Sequence, residues 1–203
     1  RETLGLFGCN VSAGEVFTKL YQKSLEGEAD CGGLVSYNYF SGEGVTNLDE
    51  GRPLLARTPN ASFTLANFMR THILSALATL KIGLDILTQQ EKVKLTKLYA
   101  HGGFFKTPEV GQRILSAATG TPVAVMETAG EGGPYGMALL CGYLLWHRSG
   151  ETLEDFLENK VFSEAEAHTV MAEQREIEGF AAFLARYRQA LEIERTAVAV
   201  LPD

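Results

Sequence analysis

Along the chain, short apolar runs that end in glycine alternate with longer stretches whose apolar residues recur every three or four positions. Ala13 to Leu25 carries Val16, Phe17, Leu20 and Tyr21 on one face and reads as an amphipathic helix. Leu34 to Phe40 is a short strand, and Ser41 to Asn60, rich in Gly, Pro, Asn and Asp, reads as an irregular surface segment. From Phe63 to Leu87 runs a long helix, with Ser62 as its cap. Its apolar positions (Leu65, Ala66, Phe68, Met69, Ile73, Leu74, Leu77, Leu80, Leu84) cover most of the circumference, so it belongs inside a domain. Arg1 to Gly8 offers neither a start methionine nor a strand and reads as an entry in mid-protein.

The second half repeats one unit. Leu98-Tyr-Ala100 is a strand and Gly102-Gly103 its turn. A helix then begins at Pro108 with Thr107 as cap, buries Val110, Ile114, Leu115 and Ala118, and stops at Gly120. Pro122 to Met126 is the next strand and Pro134 to Trp146 a strongly apolar helix. Beyond Gly150 the pattern turns acidic: a helix over Thr152 to Asn159, then a long one from Ser163 to about Thr196 carrying Val170, Met171, Ile177, Phe180, Leu184, Tyr187 and Leu191 at helical spacing. Strand, glycine turn, helix, twice over, is an α/β pattern.

Composition narrows the chemistry. The 203 residues suffice for one large domain, and a net charge of -7 without any Lys/Arg-rich run argues against nucleic acid or an anionic membrane as partner. No stretch has the layout of a signal peptide or the length of a membrane span, which gives a cytoplasmic expectation. Cys9, Cys31 and Cys141 are too scattered for a disulfide framework or a zinc site. The histidines and carboxylates show no metal spacing, and His72, inside the long apolar helix, reads as a core residue.

The glycines carry the candidate chemistry. At a strand end, Gly102 and Gly103 let a flat ring or a phosphate lie against bare main chain, although a plain tight turn explains two glycines equally well. Gly130, Gly132, Gly133 and Gly136 repeat the arrangement one unit later, and two neighbouring glycine turns form two walls of one cleft. Lys106 is a candidate for phosphate contact or for plain solvation. Gln112 is a candidate for holding a ligand amide or the first turn, with the structural task favoured.

Three enzyme classes are tested by the same residues. His101-Gly-Gly-Phe-Phe resembles an esterase oxyanion turn, but a hydrolase needs a Gly-x-Ser-x-Gly elbow after it. The nearest string, Asn10-Val-Ser12-Ala-Gly14, lacks the first glycine and precedes the turn. Gly130-x-Gly132-x-x-x-Gly136 is a weak dinucleotide signal, because the acidic residues about twenty positions on, Glu151 and Glu154, lie in helical sequence. A Gly-x-x-x-x-Gly-Lys-Ser/Thr loop is absent.

The ordered series formed by the long helix Phe63 to Leu87, His101-Gly-Gly-Phe-Phe-Lys-Thr-Pro-Glu-Val-Gly-Gln112, Gly120-Thr-Pro-Val123 and Glu131-Gly-Gly-Pro-Tyr-Gly136 resembles the C-terminal domain of the FGGY carbohydrate kinases, the group of xylulose, ribulose, gluconate and glycerol kinases. Cys31 to Glu43 is similar to the stretch before the long helix in xylulose-kinase-like members. The similarity runs from about Val16 to the final helix. It implies an α/β fold of ribonuclease H-like, actin/hexokinase-like type, a mixed sheet with flanking helices that holds the adenosine part of ATP.

By position, the resemblance puts Gly102 and Gly103 against the adenine and α-phosphate side, Phe104 beside the base, Lys106 and Gln112 around the same turn, and Gly132 and Gly133 in a supporting wall. It implies ATP with Mg²⁺, and a sugar substrate, a ketopentose or related polyol, held by an N-terminal domain together with the catalytic aspartate. The organisation expected is thus one adenosine-binding domain over residues 1–203, with 1–12 a partial linker and 150–203 a helical extension, and with no catalytic residue in it. The Gly-Thr-Ser type phosphate loop of the family is not found between Arg1 and Gly14. A sugar kinase fragment, inactive alone, is one expectation; a nucleotide-binding or structural module is the other. A missing partner domain would leave the face around Leu34 to Phe40 and the cleft side of the glycine turns open, and open apolar surface favours homo-oligomers.

Overall fold

The computed structural model describes residues 2–126, 132–163 and 167–201. Its elements run α1 (Glu2–Leu6), α2 (Ala13–Ser24), β1 (Leu34–Tyr37), β2 (Leu54–Arg57), α3 (Leu65–Asp85), β3 (Leu98–Tyr99), α4 (Val110–Thr119), β4 (Val123–Met126), α5 (Gly132–Trp146), α6 (Leu153–Phe156), β5 (Ala167–Val170) and α7 (Gln174–Val200). Among the described residues the strands form two sheets, an antiparallel β1-β2 pair and a mixed sheet in the order β3-β4-β5. In the second, β3 runs parallel to β4 with Leu98 opposite Val123, and β5 runs antiparallel to β4 with Val170 opposite Val123.

The core sits where α3 and α7 close over β1. Leu34, Tyr37, Leu74, Ala78, Phe183 and Tyr187 are all buried there. The tyrosines bring hydroxyls into this apolar space, and each finds a partner: Tyr37 donates to the carbonyl of Tyr187 at 2.5 Å, and the Tyr39 and Tyr187 hydroxyls lie 2.6 Å apart. Cys31 is buried in the same cluster, where burial pushes its thiol up to about 12, so it stays protonated and serves packing. His72 meets Asn38 through Nδ1 at 2.9 Å and sets its ring edge-on to Phe68, the satisfied residue expected of it.

Several sequence expectations need correction. The long helix is capped by Thr64, whose side chain accepts from the Asn67 N–H, and not by Ser62. Within the segment read as irregular, Leu54–Arg57 pairs with β1. The long C-terminal helix begins at Gln174, about eleven residues later than its apolar spacing suggested, because Ala167–Val170 is used as a strand. Residues beyond 150 also enter the body of the domain: β5 completes the mixed sheet, and α7 places Phe180, Phe183 and Tyr187 in the core.

Of the two open surfaces expected, the one around Leu34 to Phe40 is not found. Leu34–Tyr37 is buried along its whole length, and only Phe40 beyond it stands out, 89 % exposed. Uncovered apolar side chains do stand on α5, which begins at the second glycine cluster: Met137, Leu144, Leu145 and Trp146 are exposed, and only Gly142 is buried among the described residues of the helix.

Glu194 on α7 is wholly buried: Oε1 accepts from the Arg52 main-chain N–H at 2.6 Å, while Oε2 has no partner within the protein. Burial raises its pKa, outweighing the lowering by that hydrogen bond and by the Arg52 charge. A raised carboxyl pKa means that the folded state keeps a proton the unfolded chain has released, so this group weakens the fold as pH rises past the ordinary glutamate value of about 4.3. Urea midpoints of the parent and of Glu194→Gln should accordingly diverge with rising pH, the amide variant becoming the more stable. A constant gap between pH 4 and pH 8 would refute the assignment.

Candidate functional site

The first glycine turn is built by the end of β3. Ala100 donates its N–H to the Ala124 carbonyl at 2.9 Å, which keeps the chain in the sheet until His101. It then swings away at Gly102, whose φ of +108° is open to glycine and strained for any other residue. Gly103–Lys106 forms one 3₁₀ turn, and α4 starts at Val110. Thr107 does not cap α4; it is buried at the end of the 3₁₀ turn, and Glu109, at φ +66°, precedes the helix without a side-chain cap. Gly120 ends α4 in the left-handed region, as expected, and donates to the Ser116 carbonyl at 2.8 Å.

The structure gives the proposed turn residues different tasks. Side-chain space at Gly102 and Gly103 is empty to 4 Å, so the main chain there is uncovered. Phe104 turns toward α2, edge-on to Tyr21 at 5.8 Å and to Phe105 at 5.2 Å. Gln112 is buried and donates from Nε2 to the carbonyls of Val123 at 3.2 Å and His168 at 2.7 Å, tying β4 to β5. Lys106 is exposed at the end of the 3₁₀ turn.

The second glycine cluster approaches the first. At Gly132, the first residue of α5, a Cβ would lie 2.7 Å from the His101 Cβ, so only glycine permits this contact. Gly133 and Gly136 follow on α5 with open space around them, while Gly130 lies outside the described residues. The two turns thus meet at His101 and Gly132. Beside that contact is a cavity of about 670 Å³ lined by Tyr99, His101, Tyr135, Leu140, Leu157 and Phe162 among others. His101 and Tyr135 were not singled out from the sequence. The one available signal was that each stands next to or within a glycine cluster.

The sequence matches the family described as the FGGY family of carbohydrate kinases, C-terminal domain, over residues 2–145. The chain belongs to this family. Among solved structures it resembles the ligand-bound xylulose kinase from Lactobacillus acidophilus (TM-score 0.65, 18 % identity, covering 90 % of this chain and 34 % of that one). It also resembles gluconate kinase from the same organism (0.66, 18 %, 90 % and 34 %). Plasmodium falciparum glycerol kinase with ADP is a further likeness (0.59, 16 %, 87 % and 33 %). No curated protein matches by sequence. These likenesses give the FGGY chain an actin/hexokinase-like fold, and it spans about a third of the length of those kinases.

Proposed function

We propose that this FGGY domain holds the adenosine side of ATP in a sugar kinase that transfers phosphate to a hydroxyl of a ketopentose or related polyol. The observation that carries the reading is the pair of glycine turns meeting at His101 and Gly132, with the main chain at Gly102 and Gly103 left uncovered. Main chain with no side chain over it, at a strand end, suits a nucleotide, and the space beside it fits one. Gly102 and Gly103 form the wall, and Lys106, exposed at the end of the 3₁₀ turn, is the cation offered to phosphate. Phe104 and Gln112 support that wall from behind, one through Tyr21 and the other through the β4 and β5 carbonyls.

When bound, ATP supplies the phosphoryl group. Among the described residues no cluster of three His, Cys, Asp or Glu is placed to hold a metal; Mg²⁺ carried by the nucleotide would supply neutralisation of the phosphate charge. Phosphoryl transfer requires acceptor, metal and γ-phosphate in line, and this domain contributes only the nucleotide end of that alignment. Self-association belongs to the same reading, with the uncovered face of α5 as its surface.

Titration of ADP with Mg²⁺ into the 203-residue chain should give saturable binding, while a coupled assay with xylulose, ribulose, gluconate or glycerol should give no turnover. Absence of binding at millimolar nucleotide would favour a structural module, and sugar phosphorylation by the chain alone would refute its dependence on a second domain.

A further inference from the structure

The loop between α2 and β1 and the first turns of α7 border another cavity, of about 630 Å³, lined by Glu26, Glu28, Asp30, Arg70, Arg175 and Glu176 among others. It shares no lining residue with the cavity at the glycine turns. We infer that it is a binding site for a small zwitterion of the α-amino acid type, with the ligand carboxylate on Arg70 and the ligand ammonium on Glu28. The inference stands apart from the nucleotide reading.

Most charged groups on this wall already have partners. Glu26 meets Lys23 at 2.5 Å, Asp30 meets Arg186 at 2.5 Å, Glu176 meets Arg113 at 3.0 Å and Arg175 meets Glu173 at 2.9 Å. Arg70 is the under-satisfied cation. It is buried, yet its guanidinium makes one hydrogen bond, to the Ser24 carbonyl at 3.3 Å, and one ion pair, with Glu176 at 3.9 Å, while Nε has no partner within the protein. Buried donors are as a rule hydrogen-bonded, so one left over on a side chain that lines a cavity points to an acceptor brought by a ligand. Glu28 is the anionic counterpart: its exposed side chain accepts from Asn67 Nδ2 at 3.2 Å and forms no salt bridge among the described residues.

The placing of these two groups sets the class of ligand. Asn67 stands one turn before Arg70 on α3, and it also accepts from the Glu28 main-chain N–H at 2.7 Å, so Glu28 is held beside the helix face that carries Arg70. Helix neighbours at that spacing are about 5–6 Å apart at Cβ, a span that a ligand with adjacent carboxylate and ammonium groups can bridge. A guanidinium fork takes a carboxylate through paired N–H···O bonds, and a carboxylate takes an ammonium. A phosphate dianion would instead meet Glu28 together with Glu26, Asp30 and Glu176, so this wall disfavours it. The volume leaves room for a side chain on the ligand.

Thermal melts of the 203-residue chain with the common L-amino acids, each at millimolar concentration, should show a concentration-dependent upward shift with at least one of them. The carboxylic acid and the amine that correspond to that amino acid, each lacking the other group, should give no comparable shift. Glu28→Gln, at an exposed position, should weaken binding about tenfold or more, a loss of about 1.4 kcal/mol, and Arg70→Lys, which keeps the charge and removes the fork, should do the same. Glu192→Gln makes an equal change of charge at an exposed residue of α7 outside the lining and should stay within about twofold of the parent. If Arg70→Lys does not fold, Glu28→Gln decides the question. No shift with any amino acid, or an undiminished one in Glu28→Gln, overturns the site, and a shift that the carboxylic acid alone reproduces in full overturns the zwitterion.

Discussion

Glu176→Ala is expected to cost about 3–5 kcal/mol of stability, a large part of what a domain of this size possesses. Glu176 is buried at the start of α7 and joins three helices. One carboxylate oxygen accepts from Arg113 Nε of α4 at 3.0 Å and the other lies 3.9 Å from Arg70 of α3, while the side chain also closes the capping box of its own helix with Glu173. Arg70 is the vulnerable partner. It is 2 % exposed, donates to the Ser24 carbonyl at 3.3 Å, and leaves Nε without a partner within the protein. Burial lowers its pKa, and the Glu176 carboxylate opposes that lowering, so removing Glu176 leaves a buried cation with less to hold it.

Urea unfolding of Glu176→Ala should show a lower midpoint with the slope retained. Arg70→Met combined with Glu176→Leu should recover much of the loss, because an apolar pair of similar volume avoids the desolvation that the charges suffer. If the single variant unfolds within about 0.5 kcal/mol of the parent, the three-helix junction is not held by this carboxylate.

That junction marks the boundary of what the sequence discloses. Helices α2, α3 and α4 and strands β1, β3 and β4 are legible because their apolar spacing and their glycine stops agree, each local signal pointing the same way. The strand β5 is not. Ala167-His-Thr-Val170 is four residues long, lies between acidic helical stretches, and acquires its conformation from the backbone of β4. Leu54–Arg57 is hidden for the same reason, as a short edge partner inside a segment rich in turn residues.

The caps moved by small amounts with local causes. Thr64 is closer to the first helical turn than Ser62, and Pro108 begins no helix because Glu109 occupies a left-handed conformation. In the site, the glycines were legible as glycines, but their meeting was not. That Gly132 faces His101, that Phe104 turns to Tyr21, and that Gln112 spends its amide on two strand carbonyls are all consequences of packing between residues far apart in the chain. The exposure of α5 is not legible in its strongly apolar sequence either: most of its large side chains are left uncovered.

Gly103→Val should abolish most nucleotide affinity, about tenfold or more, while leaving the fold intact. The argument depends on separating two glycines that look alike in sequence. Gly102 has φ +108°, so any substitution there strains the turn, and lost binding would not distinguish a blocked wall from a deformed one. Gly103 has no such φ, and a Cβ placed on it meets nothing within 4 Å. A branched side chain at Gly103 therefore protrudes into the space reserved for ligand, covering main-chain groups that a ribose or phosphate would otherwise approach. Its effect on stability should be slight, whereas its effect on ADP binding should be large. Thermal melts without nucleotide should be close for parent and variant, and the upward shift that ADP with Mg²⁺ gives the parent should shrink or vanish in the variant, since that shift is proportional to the logarithm of ligand concentration over Kd. An undiminished shift in Gly103→Val would mean that nucleotide approaches this domain from another side, and the uncovered turn would then be a turn and nothing more.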